Sequence, residues 1–177
     1  PGDVTVPAGT PAGPYTIVYN LCEKLNGTTN CDPATITVNV TPPAIVANPD
    51  VYTGINGATG NTNAGNVITG TGASSTDTIN GLPTAIAAVN LTLDTTAPFG
   101  GVAQPVAGAP AGAPVPVLDT ATGNVVVPPG TPAGVYTIAY QICEKLNPTN
   151  CSKTTVSVTV DPSPIVAEPD SYSGVNG

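Results

Sequence analysis

The sequence predicts an all-β fold, an antiparallel β-sandwich arranged as a tandem repeat, on three observations. The 177 residues include 20 glycines and 21 prolines, which weaken or break helix interiors and leave little room for long helices. The chain is 40% apolar, enough for a core, and Val, Ile and Tyr fall in alternating runs that suit half-buried strands. Third, the run V-P-A-G-T-P-A-G-P-Y-T-I-V-Y-N-L-C-E-K-L-N beginning at Val6 returns as V-P-P-G-T-P-A-G-V-Y-T-I-A-Y-Q-I-C-E-K-L-N from Val127. Self-similarity at a fixed period is the signature of a repeat architecture.

The repeat sets the domain frame. Cys22 returns 121 residues later as Cys143, and Cys31 returns 120 residues later as Cys151, because N-G-T-T-N-C shortens to N-P-T-N-C. Residues 2–57 correspond to 123–177, and 58–121 occur once. The Pro-rich joints T-P-P-A at Thr41 and D-P-S-P at Asp161 each precede I-V-A-x-P-D. They divide the chain into 1–44, the C-terminal part of one repeat; 45–161, one complete repeat; and 162–177, a joint and the first strand of the next. A unit of this size can bury one core. With no initiator Met and no signal-like apolar stretch at Pro1, the chain is expected to be an internal piece of a longer polypeptide.

In chain order, a short strand is expected at Val4–Val6. Tyr15, Ile17, Tyr19 and Leu21 then alternate against Thr16, Val18 and Asn20, and Ile36, Val38 and Val40 against Thr35, Thr37 and Asn39. Further strands are expected near Asn66–Thr69, Ala87–Asp94, Val115–Asp119 and Asn124–Val127. Tyr136, Ile138, Tyr140 and Ile142, followed by Val156, Val158 and Val160, repeat the first alternating pair. Seven or more short strands separated by turn signals favour a sandwich. Tyr15 and Tyr136, each following P-A-G-x, sit where an immunoglobulin-like sandwich places its tyrosine corner, a Tyr whose hydroxyl bonds back across the turn.

The cysteines come one pair to a repeat, Cys22 with Cys31 and Cys143 with Cys151, each closing the hairpin between the last two strands. Facing residues of antiparallel strands lie within disulfide reach. Zinc is the rival ligand, but it needs four donors, and a single pair with no His supplies two. Disulfides imply an oxidising compartment.

Charge and absences exclude whole classes of function. Three lysines (Lys24, Lys145, Lys153), no Arg and eleven acids give a net charge of −8, so there is no basic footprint for nucleic acid or an anionic membrane. Without His there is no imidazole base and no Ser–His–Asp triad, and no glycine-rich phosphate loop is present. The chain is expected not to be an enzyme. No apolar run approaches the roughly 18 residues needed for a membrane-spanning helix.

The run A-G-V-Y-T-I-A-Y-Q-I-C-E-K-L-N-P-T-N-C, the joint P-D-S-Y-S-G-V-N-G and the phrase N-G-A-T-G-N-T-N-A-G-N-V together resemble the tandem immunoglobulin-like, cadherin-like repeats of very large bacterial surface adhesins, especially those of Bacteroidetes. The resemblance implies a secreted structural repeat: the shaft of an extracellular adhesin or surface filament, at the cell surface, serving attachment or gliding. Its implied partners are neighbouring repeats of the same chain or neighbouring subunits of a filament. Many cadherin-like relatives carry Asp-Asp at the joint, which helps bind calcium. Here the joints read N-P-D and E-P-D, a departure from that pattern, so no metal or other cofactor is expected and Asp50 and Asp170 read first as solvated turn acids; they are the residues that calcium would use. Asp77-Thr78-Ile79, Asp94-Thr95-Thr96 and Asp119-Thr120-Ala121 resemble Bacteroidetes O-glycosylation sites, which makes Thr78, Thr95 and Thr120 candidate acceptors. Glu23 and Glu144 read as solvated turn acids.

The alternative is a glycan- or protein-binding module using the once-only segment 58–121, whose single aromatic is Phe99. Residues 1–46 hold only late strands of a unit and 164–177 only a first strand. Such a half-sandwich exposes its core face and invites completion, either by a covalent array of repeats or by strands donated between subunits.

Overall fold

In the computed structural model, residues 2–25, 29–70, 76–171 and 173–174 are described. The strands are β1 (Gly13–Cys22), β2 (Cys31–Val40), β3 (Ile45–Val46), β4 (Asp50–Asn56), β5 (Asn61–Asn66), β6 (Thr78–Ile79), β7 (Leu82–Pro83), β8 (Val89–Leu93), β9 (Val117–Leu118), β10 (Asn124–Val127), β11 (Gly134–Glu144) and β12 (Cys151–Asp161), with one 3-10 turn at Pro98–Gly101. The fold is an all-β, immunoglobulin-like sandwich.

One sheet runs in the order β4-β12-β11-β8 and the other β5-β10-β9, with a small ribbon β3-β6-β7 beside them. From β11, Tyr136, Ile138, Tyr140 and Ile142 point into the core, joined by Val156, Val158 and Val160 of β12. The opposing sheet supplies Val125, Val127 and Leu118. Alternation along β11 and β12 is what places one side of each strand inward, because successive side chains leave a strand on opposite faces.

Two features depart from a plain antiparallel sandwich. The first is that β4 pairs with β12 in parallel, while β11 pairs antiparallel with both β12 and β8. The second is a bulge. Val158 faces Tyr52 while Val160 faces Ile55, so β4 carries one residue more than β12 across that step. Gly54 lies within it at φ 76°, a left-handed conformation that costs glycine little. Tyr52 and Ile55, three apart, would otherwise face opposite sides; with the bulge both are buried.

The hairpin β1–β2 repeats β11–β12 residue for residue in register, from Gly13 opposite Val40 to Cys22 opposite Cys31. Its surroundings differ. Tyr15 is 38% exposed where Tyr136 is 1%, and Leu21 is 71% exposed where Ile142 is fully buried. Among the described strands β1 and β2 pair only with each other.

Several expectations are corrected. Val4–Val6 forms no strand and is exposed, although its copy Val125–Val127 lies in β10. The strand expected at Asn66–Thr69 lies earlier, at Asn61–Asn66, and Val67 and Ile68 reach the core from the turn after it. The first strand expected in 162–177 is absent from 162–171 and 173–174, while Tyr172 and 175–177 lie outside the described residues. Its copy forms β3 and β4.

Candidate functional site

Among the described residues six polar or charged side chains are buried, and a cluster of them lies where β4 begins. Asp50, Asp77 and Glu144 are buried, as are Thr84, Asp94 and Thr131. The Tyr140 hydroxyl, on β11, stands 2.9 Å from Asp50 Oδ2, 3.2 Å from Asn48 O and 3.3 Å from Val67 O. Its one proton is therefore surrounded by three acceptors. The second carboxylate, Asp77, accepts from the Asn48 amide at 2.7 Å through Oδ1, and Asn48 Nδ2 donates to Thr76 O at 2.7 Å. Asp77 Oδ2 and Thr84 Oγ1 are buried with no hydrogen-bond partner among the described residues. Burial pushes the Asp77 carboxyl up to about 7, with Asp50 adding to the rise and the Asn48 amide opposing it. A buried carboxyl beside another keeps its proton because its charged form is poorly solvated. The Tyr140 hydroxyl is pushed well above its ordinary range by burial and by Asp77 and Asp50. The cluster pins Asn48 and β4, Val67, Thr76–Asp77 and β11 together. Asp50, Asp77 and Tyr140 are all buried.

The calcium candidates fall in unlike places. Asp50 is buried, with Oδ2 facing Tyr140, and Asp170 is exposed in the strandless segment 162–171. Among the described residues no three acidic, His or Cys side chains gather in one place. Calcium takes six to eight oxygens, usually several from carboxylates. At the start of β4 the described residues bring two carboxyl groups together, Asp50 and Asp77.

The other expected site residues are placed as follows. Tyr136 donates to Pro132 O at 2.7 Å and Tyr15 to Pro11 O at 2.8 Å, each four residues back across its corner. Cys22 is bonded to Cys31 and Cys143 to Cys151, and no described cysteine is free. Thr95 and Thr120 are exposed in turns, whereas Thr78 is half-buried in β6. Asp119 organises the turn before β10, accepting from the Ala121 amide at 2.9 Å and the Thr122 hydroxyl at 2.7 Å, bonds that hold its carboxyl below the usual range. Glu144 is buried, not a solvated turn acid.

Three roles are not legible in the sequence: Asp77, marked there only as the residue ahead of Thr78, as a buried carboxyl; Tyr140 as a polar anchor; and the pair of Lys153 with Asp94, marked there only as the residue ahead of Thr95. Lys153 Nζ stands 2.8 Å from Asp94 Oδ1 and 2.6 Å from Thr96 Oγ1, bridging β12 to the end of β8. Hydrogen bonds from Lys153 and Thr96 hold the Asp94 carboxyl down at about 2. Asp77 and Asp94 lie in the once-only segment, where no second copy marks them. Tyr140 sits on the apolar side of an alternating strand, where its ring accounts for the pattern and its hydroxyl leaves no mark.

No family model matches the chain, and no curated protein matches it. Solved structures with a similar course include cadherin ectodomains. The protocadherin GammaB4 extracellular domain is 12% identical over 83% of this chain and 20% of its own, with a TM-score of 0.38. The human desmocollin-1 ectodomain is 10% identical over 79% of this chain and 24% of its own, at 0.42. A protocadherin gammaB7 cis-dimer structure is 13% identical over 90% of this chain and 35% of its own, at 0.40. The chain thus spans about a fifth to a third of the length of these structures.

Proposed function

We propose that the chain is a stretch of the repetitive shaft of an extracellular bacterial surface fibre, an adhesin or filament whose units string end to end. The observation that carries this reading is the parallel pairing of β4 with β12, the first and last strands of the large sheet. A unit whose first and last strands run the same way admits the chain at one pole and releases it at the other. The hairpin β1–β2 supports the same reading, because its register, tyrosine corner and disulfide duplicate those of β11–β12. Disulfides at the terminal hairpins resist fraying under load, and prolines at the joints limit bending. Small-angle scattering from three linked units tests the shaft: a rod whose length grows in proportion to unit number is expected, and a compact or freely coiled particle overturns it.

One observation favours a second reading, a binding module. Phe99 stands 73% exposed at φ 57° beside a groove of about 460 Å³ lined by Val102, Gln104, Val106, Val135 and Thr137. A glycan array probed with the chain separates the two: retention that Phe99→Ala abolishes favours the module, and silence at high protein concentration favours the shaft.

A further inference from the structure

The loop joining β11 to β12, residues 145–150, is closed at its base by the Cys143–Cys151 disulfide, a ring that also takes in Glu144, the last residue of β11. Inside it, buried Glu144 orients two asparagines: Asn147 Nδ2 donates to Glu144 Oε2 at 2.6 Å, and Asn150 Nδ2 lies 3.4 Å from the same oxygen. The loop backbone is fixed by Asn150 N donating to Asn147 O and Glu144 N donating to Asn150 O. Lys145 ties it sideways to Ala87 O at 2.9 Å.

The two asparagines then reach out of their own unit. Asn147 Oδ1 accepts from the Ala12 amide at 2.6 Å, and Asn150 Nδ2 donates to Pro43 O at 2.8 Å. Ala12 stands at the corner before β1, and Pro43 follows the end of β2. One loop therefore grips both strand ends of the preceding hairpin, across 135 and 107 residues of sequence. Both bonds join a neutral side chain to backbone, so the grip needs neither a cation nor a particular charge state.

We propose that the disulfide-closed loop of a unit is a clamp that seats it on the strand ends of the unit before it, as the loop between β11 and β12 sits on Ala12 and Pro43. The proposal deepens the shaft reading and rests on it, giving the joint a specific lock. Two hydrogen bonds make a weak contact between separate molecules, and a covalent linker raises the effective concentration to about the millimolar range, where such a contact holds.

Residual dipolar couplings on the full 177-residue chain test the clamp. In the unaltered chain, β1–β2 and the sandwich strands share one alignment tensor. In Asn147→Ala/Asn150→Ala the sandwich couplings persist, the β1–β2 couplings shrink, and exchange of the Ala12 amide rises about tenfold, the loss of roughly one hydrogen bond. Each single substitution gives part of the effect, which keeps the test decisive should the double variant fail to fold. A shared tensor and unchanged Ala12 exchange in the variants overturn the clamp and leave the shaft standing. Independent tensors in the unaltered chain overturn both.

Discussion

The two corner tyrosines make the same bond in different settings. Tyr136 is enclosed, so removing its hydroxyl loses a bond and leaves Pro132 O poorly satisfied; Tyr15 is half open to water, which replaces the bond. Tyr136→Phe should lower stability to denaturant by about 1 kcal/mol and Tyr15→Phe by under about 0.5. Asp77 sets a pH dependence of unusual sign. Its folded value is about 7 against 3.8 ordinarily, so between those values the unfolded chain has lost a proton that the folded chain keeps. Stability contributed by the protonated carboxyl is full below about pH 4, falls as pH rises to about 7 and then levels, by a few kcal/mol in all. Thermal unfolding from pH 4 to 7 should show this fall, and Asp77→Asn should flatten it. Asp94 runs the other way: held at about 2 by Lys153 and Thr96, its contribution is present above about pH 4 and is lost as pH drops toward 2.

At the scale of elements, the chain contains its own controls. Val125–Val127 is a strand between β5 and β9, and Val4–Val6 is not a strand. Ile45–Asp50 supplies β3 and the start of β4, whereas Ile165–Asp170 runs without a strand. The local sequences are nearly the same, so the difference lies in the neighbours. A strand needs a ladder partner, and an edge that lacks one gains too little to fix its backbone. The hairpins β1–β2 and β11–β12 form in both copies because each carries its own partner and a covalent tie. Cutting that tie with Cys143→Ser/Cys151→Ser should cost about 2.5 kcal/mol by the loop-entropy model. Denaturant midpoints of the two forms check this.

For the whole molecule, the apolar side of β1–β2 carries Tyr15, Ile17, Tyr19 and Leu21 toward solvent, while their copies fill the sandwich core. On the shaft reading proposed above, the rest of a unit covers this face. In a covalent array that unit belongs to the same polypeptide, and denaturing, reducing electrophoresis of material from its native source should give a band of very high mass. A band near 17 kDa would instead mean that separate subunits complete one another.

The sequence by itself determined the all-β class, the internal repeat, both cysteine hairpins and the corner tyrosines, because each rests on local spacing: alternation, turn residues, or two copies of one motif. Tertiary structure alone decided the rest. Whether Val4–Val6 or its copy becomes a strand depends on which chain segment lies beside it. That β4 runs parallel to β12, with Gly54 bulging so that Tyr52 and Ile55 both turn inward, follows from sheet order. The meeting of Asp50, Asp77 and Tyr140 follows from closing the sandwich. Burial and long-range pairing are properties of the closed core, and no run of residues carries them alone.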